Sequence, residues 1–263
     1  MVVIDQNQCI GCGLCARDCI AKNITLQDHK ATVKNECFRC GHCVAVCPRG
    51  AVSIPEYDMN DIEAITPDIR YPEPATLLHW IKARRSIRNY LPKEIEQYKL
   101  EMLLQAGRYT ATAKNSQGCH FVFVQNELDT FKKMVWASID GVEALGYRNI
   151  PQELMPYINF NRRRKEDETD DYLFRNAPAV LYITSDFPTD PGLAAQNIEL
   201  MANSMGLGAL YNGFLARYTD ASEELKKWLG IEGKTIRACM LLGYPNVRYQ
   251  RTAPRKEANV VWK

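Results

Sequence analysis

Cysteine is nearly absent from most of this chain. Past position 47 only Cys119 and Cys239 occur, while the other eight of ten crowd into the first 47 residues. A disulfide scaffold spread through the fold is therefore excluded, and such crowding in a reducing compartment points to metal ligation. The start, MVVIDQNQC, has neither a basic n-region nor an apolar h-region, so a cytoplasmic protein is expected. No apolar run approaches the roughly 18 residues that span a bilayer, and no membrane role is expected. Charge of one sign is lacking too: 33 Lys and Arg stand against 31 Asp and Glu, a net +2. The balance holds in both parts, with six basic against five acidic residues in 1–57, so nucleic acid is not an expected partner. Neither a Walker loop nor a Rossmann fingerprint follows residue 76; the G-x-G-x-x-A of 11–16 encloses cysteines and has no strand–helix setting. None of the four histidines has a Cys or Asp companion suited to nucleophilic or general-base work, and no catalytic side chain is assigned.

What is present is 46% hydrophobic and 24% charged, the composition of a folded α+β protein with room for a substantial core. Residues 1–57 are internally repeated, each half carrying four cysteines and then a β-like run, ITLQD at 24–28 and AVSIPE at 51–56. Residues 58–75 are acidic and proline-punctuated, and read as a linker. From 76 to 263 the pattern becomes that of a larger domain. TLLHWIKARRS and EIEQYKLEMLLQAGRYT carry helical spacing, with Ile95, Tyr98, Met102 and Leu103 on one face. CHFVFVQ (119–125), AVLYITS (179–185) and 235–242 read as strands. Helices are expected near 128–144, over 193–206 and near 222–229. The span 147–176 reads as a charged helical excursion bordering a pocket, with Arg162–Arg164 on a solvated face.

The stretches CIGCGLCARDC (9–19) and CFRCGHCVAVCP (37–48) repeat the order C-x2-C-x2-C-x3-C, the spacing of bacterial iron–sulfur runs. A pair of structural zinc sites is the alternative, but zinc favours two separated cysteine pairs over triplets with a fourth thiol apart. The stretch resembles the two-cluster bacterial ferredoxins, with Ile20 after Cys19 where Pro48 follows Cys47. That resemblance implies two [4Fe–4S] clusters. Cys9, Cys12, Cys15 and Cys47 would hold one; Cys37, Cys40, Cys43 and Cys19 the other. Gly11, Gly13 and Gly41 would let backbone N–H groups approach the sulfurs, and His42 lies between ligands, where it could tune the potential. Cys119 and Cys239 sit in apolar runs and read as core.

ARRSIRNYLPKEI (83–95) places three arginines and a serine in five residues. Together with ATAKNSQGCHFVFV (111–124), NAPAVLYI (176–183), QNIELMANSMGLGALYNG (196–213) and LLGYPNVRYQRTAPRK (241–256), it resembles the FMN-dependent nitroreductase family over 76–263. The resemblance implies a central, mostly antiparallel sheet with surrounding helices, and a homodimer with FMN at its interface. By position, Arg84 and Ser86 match FMN phosphate contacts with Arg85 beside them, and Arg88 matches the cation near the pyrimidine edge. Thr112 keeps one hydroxyl of a usual Pro-Ser-Ser. Asn115 and Gln117 match an N-x-Q that reaches the flavin from the partner subunit. Asn212 and Gly213 match the segment facing the ring's N5, and Arg255, with Arg251 second, matches a basic residue returning to the phosphate. Gly118-Cys119 replaces a usual Pro-Trp, which puts substrate preference in question more than FMN binding.

The expected activity is a flavin-dependent oxidoreductase passing electrons through the clusters and FMN to an organic acceptor such as a nitroaromatic or quinone. The alternatives are an electron-transfer subunit of a larger redox complex, and an ene or dehalogenating reductase on the same fold. Reduced ferredoxin, flavodoxin or NAD(P)H would be the donor.

Overall fold

The computed structural model describes residues 1–35, 37–66 and 71–263. The chain divides into two units, the first Met1–Pro72 with Thr112–Ser116, the second Glu73–Ala111 with Gln117–Lys263. Of the stretch expected as a linker, 67–70 lie outside the described residues; ahead of them is one 3-10 turn, Met59–Asp61, capped by the Asp58 carboxylate. Among the described residues no helix is long and apolar enough to cross a membrane.

In chain order the first unit runs β1 (Val3–Ile4), α1 (Leu14–Asp18), β2 (Ile24–Gln27), β3 (Lys30–Val33), α2 (His42–Ala45) and β4 (Val52–Ser53). β1 pairs antiparallel with β4, and β2 with β3. The two expected runs, 24–28 and 51–56, thus each supply a strand, β2 and β4. Their partners β1 and β3 are too short or too polar to show in the sequence. Both helices open from a glycine in the left-handed region, Gly13 at φ 74° and Gly41 at φ 78°. The core is small: Val2, Ile24, Ala31, Ala51, Val52 and Ile54 pack with Cys9, Cys15 and Cys43.

The second unit opens with α3 (Pro74–Ala83), where Pro74 fills the first helical position and the Glu73 carboxylate accepts from the N–H groups of Ala75 and Thr76. Then follow α4 (Gln97–Arg108), β5 (His120–Val124), α5 (Leu128–Glu143), α6 (Met155–Glu166), β6 (Ala179–Thr184), α7 (Asp190–Ser204), β7 (Gly208–Tyr211), α8 (Gly213–Asp220), α9 (Glu223–Trp228) and β8 (Ile236–Gly243). β5 to β8 form one sheet in the order β5-β6-β8-β7, every pairing antiparallel.

β6 and β8 are apolar at nearly every position because both faces of the sheet are covered. Alternation of side chains sorts them. Val180, Tyr182, Cys239 and Leu241 join Phe131, Val135, Ile139, Ile158 and Leu215 on one face. Ala179, Leu181, Ile183, Ala238, Met240 and Leu242 join Leu103, Ala194, Ala195, Ile198 and Ala202 on the other. The first layer is filled by large rings: Phe131 lies 5.9 Å from Tyr182 and 5.1 Å from Trp228, centroid to centroid. The second is filled mainly by small and aliphatic side chains, so α4 and α7 approach closely. A Cβ on Gly107 would lie 2.9 Å from Ile198 Cδ1.

The expected face of the helix after residue 94 is corrected. Leu100, Leu103 and Gly107 are its buried positions, whereas Tyr98 and Met102 are exposed. The helix begins only at Gln97, so Ile95 is buried ahead of it and does not set the helical stripe. The 147–176 span is helical as read, two 3-10 turns (Tyr147–Asn149 and Gln152–Leu154) leading into α6. Arg162 and Arg163 stand about half exposed, paired with Glu143 and Asp170 at 2.8 and 2.7 Å. Arg164 departs from that solvated face, its guanidinium 4.7 Å above the Trp136 ring.

Phe131 is fully buried between Phe174, Tyr182 and Trp228. Phe131→Ala is expected to cost about 4 kcal/mol, read as a lowered urea midpoint followed by tryptophan fluorescence.

Candidate functional site

In the first unit the eight clustered cysteines gather around two cavities. One, of about 350 Å³, is lined by Cys9, Cys12, Cys15 and Cys47 with Ile4, Leu14 and Pro48. The other, of about 360 Å³, is lined by Cys19, Cys37, Cys40 and Cys43 with Val2, Ile24 and His42. Each cavity therefore takes three thiols from one sequence run and the fourth from the other. The last cysteine of each run leaves its triplet because α1 and α2 intervene, turning Cys19 and Cys47 toward the neighbouring cavity. Among the described residues no three Cys, His, Asp or Glu side chains converge on a single-ion position. Thiols spread around a void suit a polynuclear cluster better than one zinc ion.

Backbone donors are already aimed at the sulfurs. Asn23 N–H donates to Cys19 Sγ at 3.3 Å, Ala31 to Cys9 at 3.4 Å, Arg39 to Cys37 at 3.4 Å and Ala51 to Cys47 at 3.3 Å. Such bonds favour the thiolate. The Ala31 and Gly11 amides hold the Cys9 thiol below its ordinary value, while burial pushes the Cys43 thiol up to about 11. Gly11 sits at φ 67°, and a Cβ there would lie 2.0 Å from the His29 carbonyl oxygen, so the first ligand loop closes only with glycine.

In the second unit the stretch after α3 runs along the end of the sheet. Ile87 N–H donates to Ala209 O at 3.0 Å, Leu91 N–H to Tyr244 O at 2.8 Å, and Tyr90 bridges to Pro245. Gly208 makes the approach possible, since a Cβ there would fall 2.3 Å from Ile87 Cγ1. This pins Arg84, Arg85 and Ser86, all half-buried, beside β7, with Arg88 exposed beyond them. Arg84 Nη1 pairs at 2.8 Å with Glu199, whose side chain is 4% exposed on α7. The Arg84 Nε is buried and without a partner. Tyr211 shares this corner, its hydroxyl pushed up to about 12, by desolvation first and then by Glu199, with Arg84 opposing.

Asn212 follows directly. Its Nδ2 donates to Leu173 O at 2.6 Å and its Oδ1 accepts from Leu215 N–H at 3.0 Å, capping α8. Both bonds fix the backbone at Gly213, which is exposed and has no side chain to shield it. Arg84, Arg85, Ser86, Asn212 and Gly213 thus border one end of the sheet.

Other expected positions stand elsewhere. Thr112 and Asn115 fall in the first unit, where Asn115 Nδ2 donates to Arg39 O at 3.0 Å. Lys114, Asn115 and Gln117 all have positive φ, so this turn is conformationally constrained. Arg255 is exposed in the C-terminal stretch and bonds only its neighbour, Pro254 O at 3.4 Å, among the described residues. Cys239 is buried and Cys119 half-buried. Sequence reasoning missed Glu199. Its signal was an acid inside the otherwise apolar half-turns of AAQNIELMA, where an unpaired charge would be costly.

Two outcomes follow from this geometry. Gly11→Ala is expected to lower iron content, measured per chain after anaerobic purification, while leaving the unfolding midpoint of the second unit unchanged. Burial pushes the Glu199 carboxyl up and Arg84 opposes that shift. Arg84→Met removes the opposing charge, so the Glu199 carboxyl rises further above its unfolded value. A group raised on folding gives its full contribution below its unfolded pKa and loses it as pH climbs through the folded one. The destabilisation by Arg84→Met is therefore expected to be small near pH 4 and about 2 kcal/mol at pH 8, measured by urea denaturation at the two pH values.

Comparison with known proteins agrees with this layout. Residues 81–244 match the nitroreductase family, and residues 1–59 match a 4Fe-4S dicluster domain. An NADPH-flavin oxidoreductase of Vibrio harveyi is 29% identical over 183 residues, covering 69% of this chain and 70% of its own. A provisionally named NADH dehydrogenase/NAD(P)H nitroreductase of Methanothermobacter thermautotrophicus is 26% identical over 179 residues, 64% of this chain and 77% of its own. Among solved structures, a Bacteroides fragilis nitroreductase with bound FMN superposes with TM-score 0.56 at 25% identity, covering 71% of this chain and 98% of that one. The family match spans more than half of the sequence and the dicluster match the thiol-lined unit before it, so the chain belongs to the nitroreductase family and carries an N-terminal 4Fe-4S dicluster domain.

Proposed function

We propose that the protein is an FMN-dependent oxidoreductase that takes in electrons through two [4Fe–4S] clusters and delivers them through FMN to a small organic acceptor such as a nitroaromatic or quinone. The observation that carries this is the sorting of eight thiols into two four-cysteine cavities on a chain whose second unit is a nitroreductase. The cluster domain is taken as 1–57, the linker as 58–75 and the flavin domain as 76–263. FMN would supply both one-electron and hydride chemistry, and so suits a junction between one-electron carriers and a two-electron acceptor.

The chain's own residues have definable tasks. Cys9, Cys12, Cys15 and Cys47 hold one cluster, and Cys19, Cys37, Cys40 and Cys43 the other, with the backbone N–H groups of residues 23, 31, 39 and 51 stabilising the thiolates. Arg84 offers a buried, unpartnered Nε for a phosphate oxygen, with Arg85 and Ser86 beside it. Arg88 places a fixed cation for the pyrimidine edge. Asn212 fixes the Gly213 backbone, and the absence of a side chain at Gly213 leaves a ring free to approach. Thr112, Asn115, Gln117 and Arg255 complete the site in a homodimer. Exposed apolar residues on α3 (Leu77, Leu78, Trp80, Ile81) and near the C-terminus (Val260, Val261, Trp262) support such an assembly. Reduced ferredoxin, flavodoxin or NAD(P)H is the donor, and the protein works in the cytoplasm.

Protein purified without oxygen is expected to contain about eight irons per chain and one FMN, and to reduce a nitroaromatic when given a reduced donor. Iron at that level with no flavin absorbance would defeat the proposal.

A further inference from the structure

Beside Gly213 lies a structure that neither the flavin contacts nor the clusters use. Tyr157, Phe160, Tyr172 and Phe214 form one aromatic group joining α6, the segment before β6, and the start of α8. Phe160 stacks on Tyr172 at 4.4 Å, and Phe214 meets Phe160 edge-on at 5.2 Å. An arginine stands at each end. Arg175 lies 3.7 Å above the Tyr172 ring, and Arg217 lies 5.1 Å from the Phe214 ring.

Neither cation has an acidic partner among the described residues, unlike Arg84, Arg162 and Arg163. The nearest acid in sequence to Arg217 on α8, Asp220, is occupied by the Ile236 N–H at 2.8 Å. Arg217 is nonetheless held in place. Its guanidinium lies beside the Tyr157 hydroxyl, and that hydroxyl donates to Phe214 O at 2.9 Å. Its Nη1 is 3.7 Å from where a Cβ on Gly213 would be, and nothing else lies within 4 Å of that point. A fixed, exposed and unneutralised guanidinium thus borders the open backbone at Gly213, with an aromatic edge alongside.

We propose that Arg217 is a specificity residue that selects an aromatic acceptor bearing a carboxylate or similar anionic group. The ring would lie against Phe214 and the anion would pair with the guanidinium, whose planar fork suits a carboxylate. Arg175, at the far end of the aromatic group, adds to the positive field. The inference rests on Asn212 and Gly213 facing the flavin, as the proposed function holds.

The test uses the cluster- and flavin-loaded protein with benzoate and benzamide, two non-reducible probes of similar shape that differ in charge. Binding is measured by calorimetry. The wild type is expected to bind benzoate about tenfold more tightly than benzamide. Arg217→Met should abolish that preference, and Arg217→Lys should keep part of it. In turnover, Arg217→Met should raise KM for 4-nitrobenzoate about tenfold with kcat and the KM for nitrobenzene little changed. Equal binding of the two probes by the wild type, no benzoate binding, or an Arg217→Met variant that retains the preference would each overturn the proposal. A loss confined to reduction by NADPH would also overturn it, by assigning the arginine to the donor. Flavin content is measured on the same preparations. A flavin-free protein defeats the proposed function and this inference with it, whereas a flavin-loaded protein without charge preference defeats only the inference.

Discussion

Burial of both faces of the strand pair β6 and β8 governs the second unit. With apolar side chains on either side, neither face can meet water, and the sheet requires a helical layer above and below it. The two layers are not equivalent. Aromatic rings fill one, and alanines with aliphatic side chains fill the other. The small residues let α7 lie close to the sheet, and that depth leaves Glu199 buried and in need of a cation. Arg84 answers it from the far end of the chain's polar stretch at 2.8 Å. The position of the arginine cluster beside β7 is thus a consequence of core packing, reinforced by the Ile87–Ala209 bond and by the close contact that Gly208 permits.

The first unit solves a different problem. Its apolar core holds only a few aliphatic side chains, and cysteines make up part of it. Short loops carry the thiols, and two left-handed glycines start the helices that turn the fourth ligand of each run toward the other cavity. Each cavity is therefore built from both halves of the repeat, and neither ligand set can be assembled from one half. Small domains commonly gain stability from such metal ligation where hydrophobic burial alone is insufficient.

Charge is distributed with the same division of labour. Arg162 and Arg163 pair with acids on the surface, and Arg84 pairs with a buried one. Arg175 and Arg217 are held by rings and a tyrosine hydroxyl instead. Cations positioned without neutralisation retain their field for a ligand, and here they stand around the one exposed glycine that the capping of α8 by Asn212 fixes in place.

Much of this was legible in the residues. The doubled C-x2-C-x2-C-x3-C order is local chemistry, and its spacing sufficed to indicate clusters and to sort the eight thiols. Strands β5, β6 and β8 were visible as apolar runs bounded by polar turns, and the ordered series of motifs after residue 76 was enough for the family. The face of α4 was misjudged because Tyr98 and Met102 are apolar without being buried, and only packing against the sheet distinguishes them from Leu100 and Leu103. Glu199 as the partner of Arg84, and Arg217 against Gly213, were beyond the sequence for a related reason. Residues 115 positions apart in the first pair meet because two layers close on one sheet, and the second contact depends on a side-chain direction set by Tyr157 from another helix. Sequence alone determined which atoms could hold iron and which fold would carry the flavin motifs, since both depend on short-range spacing. Tertiary structure alone decided which charges are neutralised and which remain free to act, because that depends on what long-range packing brings within a few ångströms.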